Sequence, residues 1–491
     1  MQLKRGDKIN PITIEKMAAE GKCLAKYNGL VVFITGGAPG DVVEIELTKI
    51  KSSFLEGRVT SILQLSPIRA TPFCGHFGTC GGCSWQHIQY TEQLNYKQQQ
   101  VVDNLERIGG LELPPIKPII GSAKTQHYRN KLDFTFTANR WLTKEELTTA
   151  IEQKRFENGL GYHIPKMYDR VFDVATCYLQ PDPSNAIRLL VKSVAEKENI
   201  PFFNLRTQTG FVRTLTIRTA LPSEVLAKGD LSSEALAKDE VMVILQVAQH
   251  QLEWTEKILT AIAEHFPQIT SLNYIVNEKR NDTFADLDVI CWKGKPYITE
   301  HMPKPDGSGT LQFRVGPKSF YQTNSEQAFE LYKVAWQMAD LQGHELVYDL
   351  YTGTGTIANF VAGRTKKVIG LEYVEAAIAD AKVNAQINHI TNTDFYAGDM
   401  KDLLNDSFLA QHGHPDVVIT DPPRAGMLED VCQMLLKAAP SRIVYVSCNP
   451  ATQARDLQTL SEKYTVTAIQ PVDMFPHTVH VENVVRLDLR K

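Results

Sequence analysis

From about residue 340 the chain repeats strand, turn and helix, and this repeat narrows the fold class more than any other feature. Leu346-Val347-Tyr348-Asp349-Leu350 leads into Tyr351-Thr352-Gly353-Thr354-Gly355-Thr356, Lys367-Val368-Ile369-Gly370-Leu371-Glu372 precedes a helical stretch from 374 to 388, and Asp416-Val417-Val418-Ile419-Thr420 runs into Asp421-Pro422-Pro423-Arg424. Apolar strands alternating with helices of ten or more residues predict an α/β domain built on a doubly wound, mostly parallel sheet. Such sheets bind ligands beyond the carboxyl ends of their strands. Cys448 sits at such an edge, after Tyr445-Val446-Ser447 and before Asn449-Pro450, where Pro450 is predicted to stop the strand. A lone Cys is most often buried and inert, so its meaning depends on its neighbours.

Gly353 and Gly355, directly after a strand, predict a tight turn that lets a ligand approach the backbone. Glu372, at the end of the next strand, is where this fold places a carboxylate for ribose hydroxyls. Both features suit NAD as well as S-adenosylmethionine. Asp421-Pro422-Pro423-Arg424 fixes two φ angles and removes two amide donors, giving a stiff loop. Loops of the form Asp/Asn-Pro-Pro-aromatic mark methylation of exocyclic amino groups, and Arg424 in the fourth position speaks against that chemistry. A ring carbon such as uracil C5 must first be made nucleophilic, which a thiolate achieves by adding to C6. Cys448 could supply the thiolate, and a base must then remove the C5 proton. Glu482, in His480-Val481-Glu482 at the start of the last predicted strand, is the candidate base.

At 491 residues the chain should divide into about three domains. No apolar run approaches the roughly 20 residues of a membrane span, and Met1 to Asn10 is polar, so a cytosolic protein is expected. The net charge of −4 argues against an indiscriminate polyanion binder. Lys and Arg nevertheless outnumber Asp and Glu between Leu105 and Arg218, and the reverse holds from Leu311 to Lys491. That asymmetry suits a polyanion gripped in one place and processed in another, or simply two solvated surfaces.

Residues 1–62 alternate short apolar runs with turn signals, as a small OB-like β-barrel does, with Lys49 and Lys51 at a strand edge. Cys74, Cys80 and Cys83 fall in a Gly-rich loop at 72–87, a spacing that reads as a metal site of iron–sulfur or zinc type. A polar helix is predicted from about 91 to 108, then a mixed α+β region to about 310 with strands at 131–136 and 212–217. Within it, 224–230 is nearly echoed by 234–240, which reads as a surface insertion near 220–240. Tyr128-Arg129-Asn130-Lys131 combines an aromatic for stacking with phosphate donors, although a loop entering a strand explains it equally well.

Phe320-Tyr321-Gln322-Thr323-Asn324, Asp421-Pro422-Pro423-Arg424, Ser447-Cys448-Asn449-Pro450 and His480-Val481-Glu482 together resemble the bacterial RNA (uracil-5-)-methyltransferase family. The resemblance spans essentially the whole chain, residues 1–62 resembling its TRAM domain. It implies a Rossmann-like S-adenosylmethionine-dependent catalytic domain at 311–491 and a central domain at 63–310. It further implies Cys448 as nucleophile and Glu482 as base, with Gln322, Tyr351, Gly353, Gly355, Glu372 and Asp421 lining the S-adenosylmethionine and uracil sites and Asp399 on the adenine side. Some relatives have Asn where this chain has Thr356, so no contact is carried over there.

The cysteine loop resembles the iron–sulfur loop of the ribosomal-RNA branch, with Cys177 as the distant fourth ligand. This implies a [4Fe-4S] cluster that helps place RNA. A 23S ribosomal RNA substrate is therefore expected, because the similar transfer-RNA enzymes typically lack both barrel and cluster, and a monomer is expected as well. A transfer-RNA enzyme and a non-catalytic RNA-binding assembly factor are the alternatives, and retention of both Cys448 and Glu482 argues against the second. A DNA cytosine-5 enzyme would carry its Cys in the loop after the fourth strand, where this chain has Asp-Pro-Pro-Arg. Since a ring carbon cannot be reached inside a base stack, the target uridine must be extruded.

Overall fold

The structure, a computed structural model, describes residues 3–18, 21–143, 146–147, 157–165, 167–220 and 240–490. Six strands form the N-terminal sheet in the spatial order Lys8–Thr13, Val42–Ile50, Phe54–Gln64, Leu30–Thr35, Cys23–Tyr27, Lys16–Met17. All neighbours are antiparallel except Leu30–Thr35 with Phe54–Gln64. Alternation along Val42–Ile50 turns Val43, Ile45 and Leu47 inward, where they share a core with Ile9, Ile34 and Leu55. Lys49 is held within the sheet by an ion pair to Glu56 at 3.0 Å, so its ammonium is already matched by a carboxylate.

The central sheet has eight strands, in the order Ile290–Gly294, Ile269–Val276, Glu240–Val247, Val212–Ala220, Lys131–Thr137, Gly159–His163, Val171–Asp173, Arg140–Trp141. Helices Ser184–Lys197 and Leu252–His265 bury Ile187, Val191, Ile258 and Ile262 in the same core as Phe134, Leu215 and Leu245. The echoed sequence at 224–240 lies, apart from Glu240, outside the described residues.

The C-terminal sheet contains, in chain order, Leu346–Leu350, Lys367–Glu372, Thr393–Ala397, Val417–Thr420, Arg442–Ser447, Tyr464–Val472 and Glu482–Leu489. These are its first to seventh strands, arranged third, second, first, fourth, fifth, seventh, sixth. The first five are parallel, and the seventh runs antiparallel between the fifth and sixth. Both faces are apolar, as a sheet covered on two sides requires. Tyr348, Leu350, Ile369, Leu371 and Tyr445 face one layer, which includes Val101 and Leu105 of helix Tyr90–Arg107. Val347, Val368, Ile419, Val444 and Val446 face the other, which includes Leu331 and Ala335 of helix Ser325–Ala339. Chain order reverses between the first and fourth strands, opening a crevice at their carboxyl ends. Among the described residues no helix is long and apolar enough to cross a membrane.

Candidate active site

Three loops meet at that carboxyl edge. The fifth and seventh strands pair Ser447 with Asn483, and continuing this antiparallel register by one residue sets Cys448 opposite Glu482. Pro450 does not simply end a strand. It occupies the first turn of helix Pro450–Leu460, where its missing N–H costs nothing, and Asn449 caps that helix by accepting from Ala451 N at 3.2 Å. The same Asn449 donates its Nδ2 to the carbonyl of Arg424 at 3.0 Å, and Thr452 Oγ1 donates to that carbonyl at 3.2 Å. The Asp-Pro-Pro-Arg loop is thereby fastened to the cysteine loop at 447–450.

The electrostatics follow from this packing. Glu482 is 4% exposed, and its burial together with the nearby Asp421 pushes its carboxyl up to about 8, against the pull of the Arg424 guanidinium. Asp421 is half-buried at the crevice floor and desolvation raises it to about 7. Burial, then Glu482 and Asp421, push the half-buried Cys448 thiol up to about 11, while Arg424, which hydrogen-bonds it, favours the thiolate. Arg424 also donates to His480 Nδ1 at 3.0 Å. Burial, Arg424 and more distant cations lower His480 to about 4, so its ring is neutral and able to accept.

On the other side of the crevice the first strand ends in a strained turn. Tyr351 has φ of +62°, uncommon for a residue with a Cβ, and Gly353 and Gly355 follow at +54° and +75°. Nothing lies within 4 Å of where a Cβ on Gly353 would stand, whereas one on Gly355 would meet Ala381 at 2.9 Å. Gly353 thus leaves room above the turn and Gly355 allows helix and strand to approach below it. Glu372 accepts from Gly353 N at 3.2 Å and Val374 N at 3.0 Å, which fixes its carboxylate at the rim. Asp399, beyond the third strand, caps the short helix Met400–Leu403 by accepting from Lys401 N. Tyr351, Gly353, Gly355, Glu372 and Asp399 therefore sit over the first three strands, and Asp421, Cys448 and Glu482 over the next ones.

Gln322 joins the site from the loop just before helix Ser325–Ala339, and its side-chain amide hydrogen-bonds the hydroxyl of Tyr332, buried on that helix. Its carbonyl accepts from Asn130 Nδ2 at 2.9 Å, and the same amide reaches Glu300 at 3.0 Å and Ser325 at 2.8 Å. Asn130 is thus a brace between domains, not a phosphate donor. Tyr128 is not a stacking platform either. It is 6% exposed and its hydroxyl donates to Pro476 O at 3.0 Å, while Arg129 lies over the ring of Phe475 at 5.0 Å. The contact of His480 with Arg424 and the bracing role of Asn130 escaped the sequence, because each is defined by a partner more than 50 residues away; Tyr332, ten residues beyond Gln322, carried no motif signal. Two exposed aromatics were also missed: Phe320, at 67%, and Tyr373, at 71% and directly after Glu372. Their signal was proximity to Gln322 and Glu372.

Cys74, Cys80, Cys83 and Cys177 come together as walls of one pocket, with Phe73, Phe77, Tyr162 and Leu179 supplying apolar sides. Burial and mutual repulsion push Cys80 up to about 12 and Cys83 to about 11, and Cys74 is raised as well. These three thiols, with Cys177 in the same apolar pocket, form a donor set that a cation would stabilise as thiolates. Among the described residues, however, no three His, Cys, Asp or Glu side chains are already closed to metal-site spacing.

Residues 288–490 match the family described as tRNA (Uracil-5-)-methyltransferase, and residues 4–60 match the TRAM domain. An uncharacterized RNA methyltransferase of Bacteroides thetaiotaomicron is 55% identical over 475 residues, covering 96% of this chain and 100% of the relative. One from Porphyromonas gingivalis is 51% identical over 480 residues, covering 96% and 98%. Among solved structures, the tRNA (uracil-54, C5)-methyltransferase of Pyrococcus abyssi in complex with S-adenosyl-L-homocysteine matches with a TM-score of 0.71 at 26% identity. The match covers 97% of this chain and 100% of that one.

Proposed function

Because the chain belongs to the S-adenosylmethionine-dependent RNA (uracil-5-)-methyltransferase family, we propose that it methylates uracil C5 of RNA through a covalent adduct between Cys448 and C6. The observation that carries this reading is the register of the fifth and seventh strands, which sets the thiol opposite Glu482 with Asp421 and Arg424 beside both. When bound, S-adenosylmethionine supplies an electrophilic methyl group. Cys448 Sγ bonds C6 and the displaced π electrons move through C5 onto the C4 carbonyl as an enolate. C5 then bonds the methyl carbon as the donor's carbon–sulfur bond breaks, its electron pair leaving with sulfur. The Glu482 carboxylate takes the C5 proton, the C5–H electrons restore the C5=C6 bond, and Cys448 leaves. Exposed Phe320 and Tyr373 offer aromatic faces beside the two halves of the crevice, suited to an extruded base and to adenine.

A base that must be ionised gives a rate that rises with pH. With Glu482 raised to about 8, the rate at which the methylated adduct breaks down to product is expected to climb between pH 6.5 and 9, levelling as Glu482 becomes fully ionised. A flat profile over this interval, measured with saturating methyl donor, contradicts Glu482 as the proton acceptor.

For the second pocket we propose that Cys74, Cys80, Cys83 and Cys177 hold a [4Fe-4S] cluster, supported by their shared pocket and soft-donor chemistry. Anaerobically purified protein is expected to contain about four iron and four labile sulfide per chain by the cluster's own stoichiometry. Stoichiometric zinc without sulfide contradicts the cluster. The cysteine pocket also supports 23S ribosomal RNA as substrate. A transfer-RNA substrate is the second reading, favoured by the full-length match to a transfer-RNA enzyme, which makes the presence of all three domains uninformative about RNA class. Mapping 5-methyluridine in both RNA pools from cells lacking the protein distinguishes them: loss from 23S RNA supports the first reading, and loss from transfer RNA alone overturns it.

A further inference from the structure

The connection from the sixth strand to Glu482, residues 473–481, is anchored in an unusually polar way. Asp473 and Lys97 are both fully buried and their side chains meet at 2.6 Å. Lys97 Nζ also donates to Phe475 O at 2.9 Å, and Tyr90 donates its hydroxyl to the second Asp473 oxygen at 2.8 Å. Two residues on, Gln93 clamps His477 from both sides. Its Oε1 accepts from His477 N at 2.9 Å and its Nε2 meets His477 Nδ1 at 3.1 Å. Gln93 is itself fully buried, and His477 is held at φ +64°.

Tyr90, Gln93 and Lys97 all lie on helix Tyr90–Arg107, at a spacing that sets them along one face. A buried ion pair is weak as a source of stability, because desolvating both charges offsets most of their attraction. What it does supply is geometry, since only one arrangement satisfies both charges and the amide. The arrangement it fixes is the backbone leading directly into Glu482, whose carboxylate must reach a single carbon.

We propose that Gln93, Lys97 and Asp473 are positioning residues that set the approach of Glu482 to C5. This rests on Glu482 being the base. They act after adduct formation, so their loss separates the two halves of the reaction. Uracil carrying fluorine at C5 has no proton there to remove, and the adduct it forms reports every step before elimination. Ordinary uracil also requires the base.

The test uses the full chain as Gln93→Leu and as the double variant Lys97→Met/Asp473→Asn. The double change removes both charges together, so that neither is left buried alone. Transcripts of 23S ribosomal RNA and of transfer RNA, with uridine or 5-fluorouridine, are supplied with S-adenosylmethionine. Each variant is expected to form the fluorinated adduct within about 2-fold of the wild-type rate, to turn over ordinary RNA at least about 10-fold more slowly, and to accumulate adduct on it. Wild-type turnover, or an equal fall in both measurements, overturns the positioning role. Wild-type turnover by Glu482→Gln instead overturns the base assignment on which it rests.

Discussion

Replacing Cys448 by Ala is expected to lower methyl transfer to RNA by on the order of 10⁴-fold or more, with S-adenosylmethionine binding unchanged. The size follows from the chemistry. Uracil C5 bears no electron pair able to displace a methyl group until C6 is saturated, and among the described residues named at this crevice only Cys448 is a soft nucleophile. Ser is expected to substitute poorly, because a hydroxyl is far harder to ionise between Glu482 and Asp421. The change should not harm the fold. Cys448 is half-buried at a strand end, its loop is held by Asn449 and Thr452 to Arg424 O, and removing one sulfur there should cost no more than about 1 kcal/mol. Initial rates with labelled methyl donor, together with titration calorimetry of donor binding, check both halves. Equal incorporation by wild type and Cys448→Ala contradicts the nucleophile assignment.

Glu482→Gln is expected to slow turnover by about 10²- to 10⁴-fold while leaving adduct formation intact, so that protein and RNA accumulate as a covalent complex visible on a denaturing gel. Gln is nearly isosteric with the protonated acid, which is the form that burial favours here. The same burial gives a stability signature. The folded value of about 8 lies above the roughly 4.3 of an unfolded Glu, so protonated Glu482 stabilises the fold fully below about pH 4. That contribution is lost as pH rises towards 8. The Gln variant, which cannot ionise, should match wild type near pH 4 and melt at progressively higher temperature than wild type up to about pH 8. Equal melting temperatures at pH 8.5 contradict the buried, raised carboxyl.

Much of this was legible because it is local. The Gly353-Thr354-Gly355 turn, Glu372 at a strand end and the stiff Asp421-Pro422-Pro423 loop follow from period, turn chemistry and proline stereochemistry, and the doubly wound sheet follows from their order. The nearness of Cys448 to Glu482 was not readable in this way. It depends on the seventh strand inserting antiparallel between the fifth and sixth, a choice made by long-range pairing. Tyr128 was misleading because its residue type suits stacking, while its position beneath Pro476 buries it. Lys97 and Asp473 gave no signal, since two charged residues 376 positions apart read as surface until the fold brings them together. The fourth cysteine is similar: Cys177 reaches the loop at 72–87 only because the central sheet returns the chain there.

The measurement closest to the central claim follows the hydrogen on C5. RNA carrying tritium at C5 of its uridines and lacking 5-methyluridine is incubated with the protein and S-adenosylmethionine bearing a carbon-labelled methyl group, and both labels are counted. Substitution at C5 through a Cys448 adduct predicts one tritium released to water for each methyl group gained, with both abolished in Cys448→Ala. Methyl gain without tritium release places the new bond on another atom and contradicts the account.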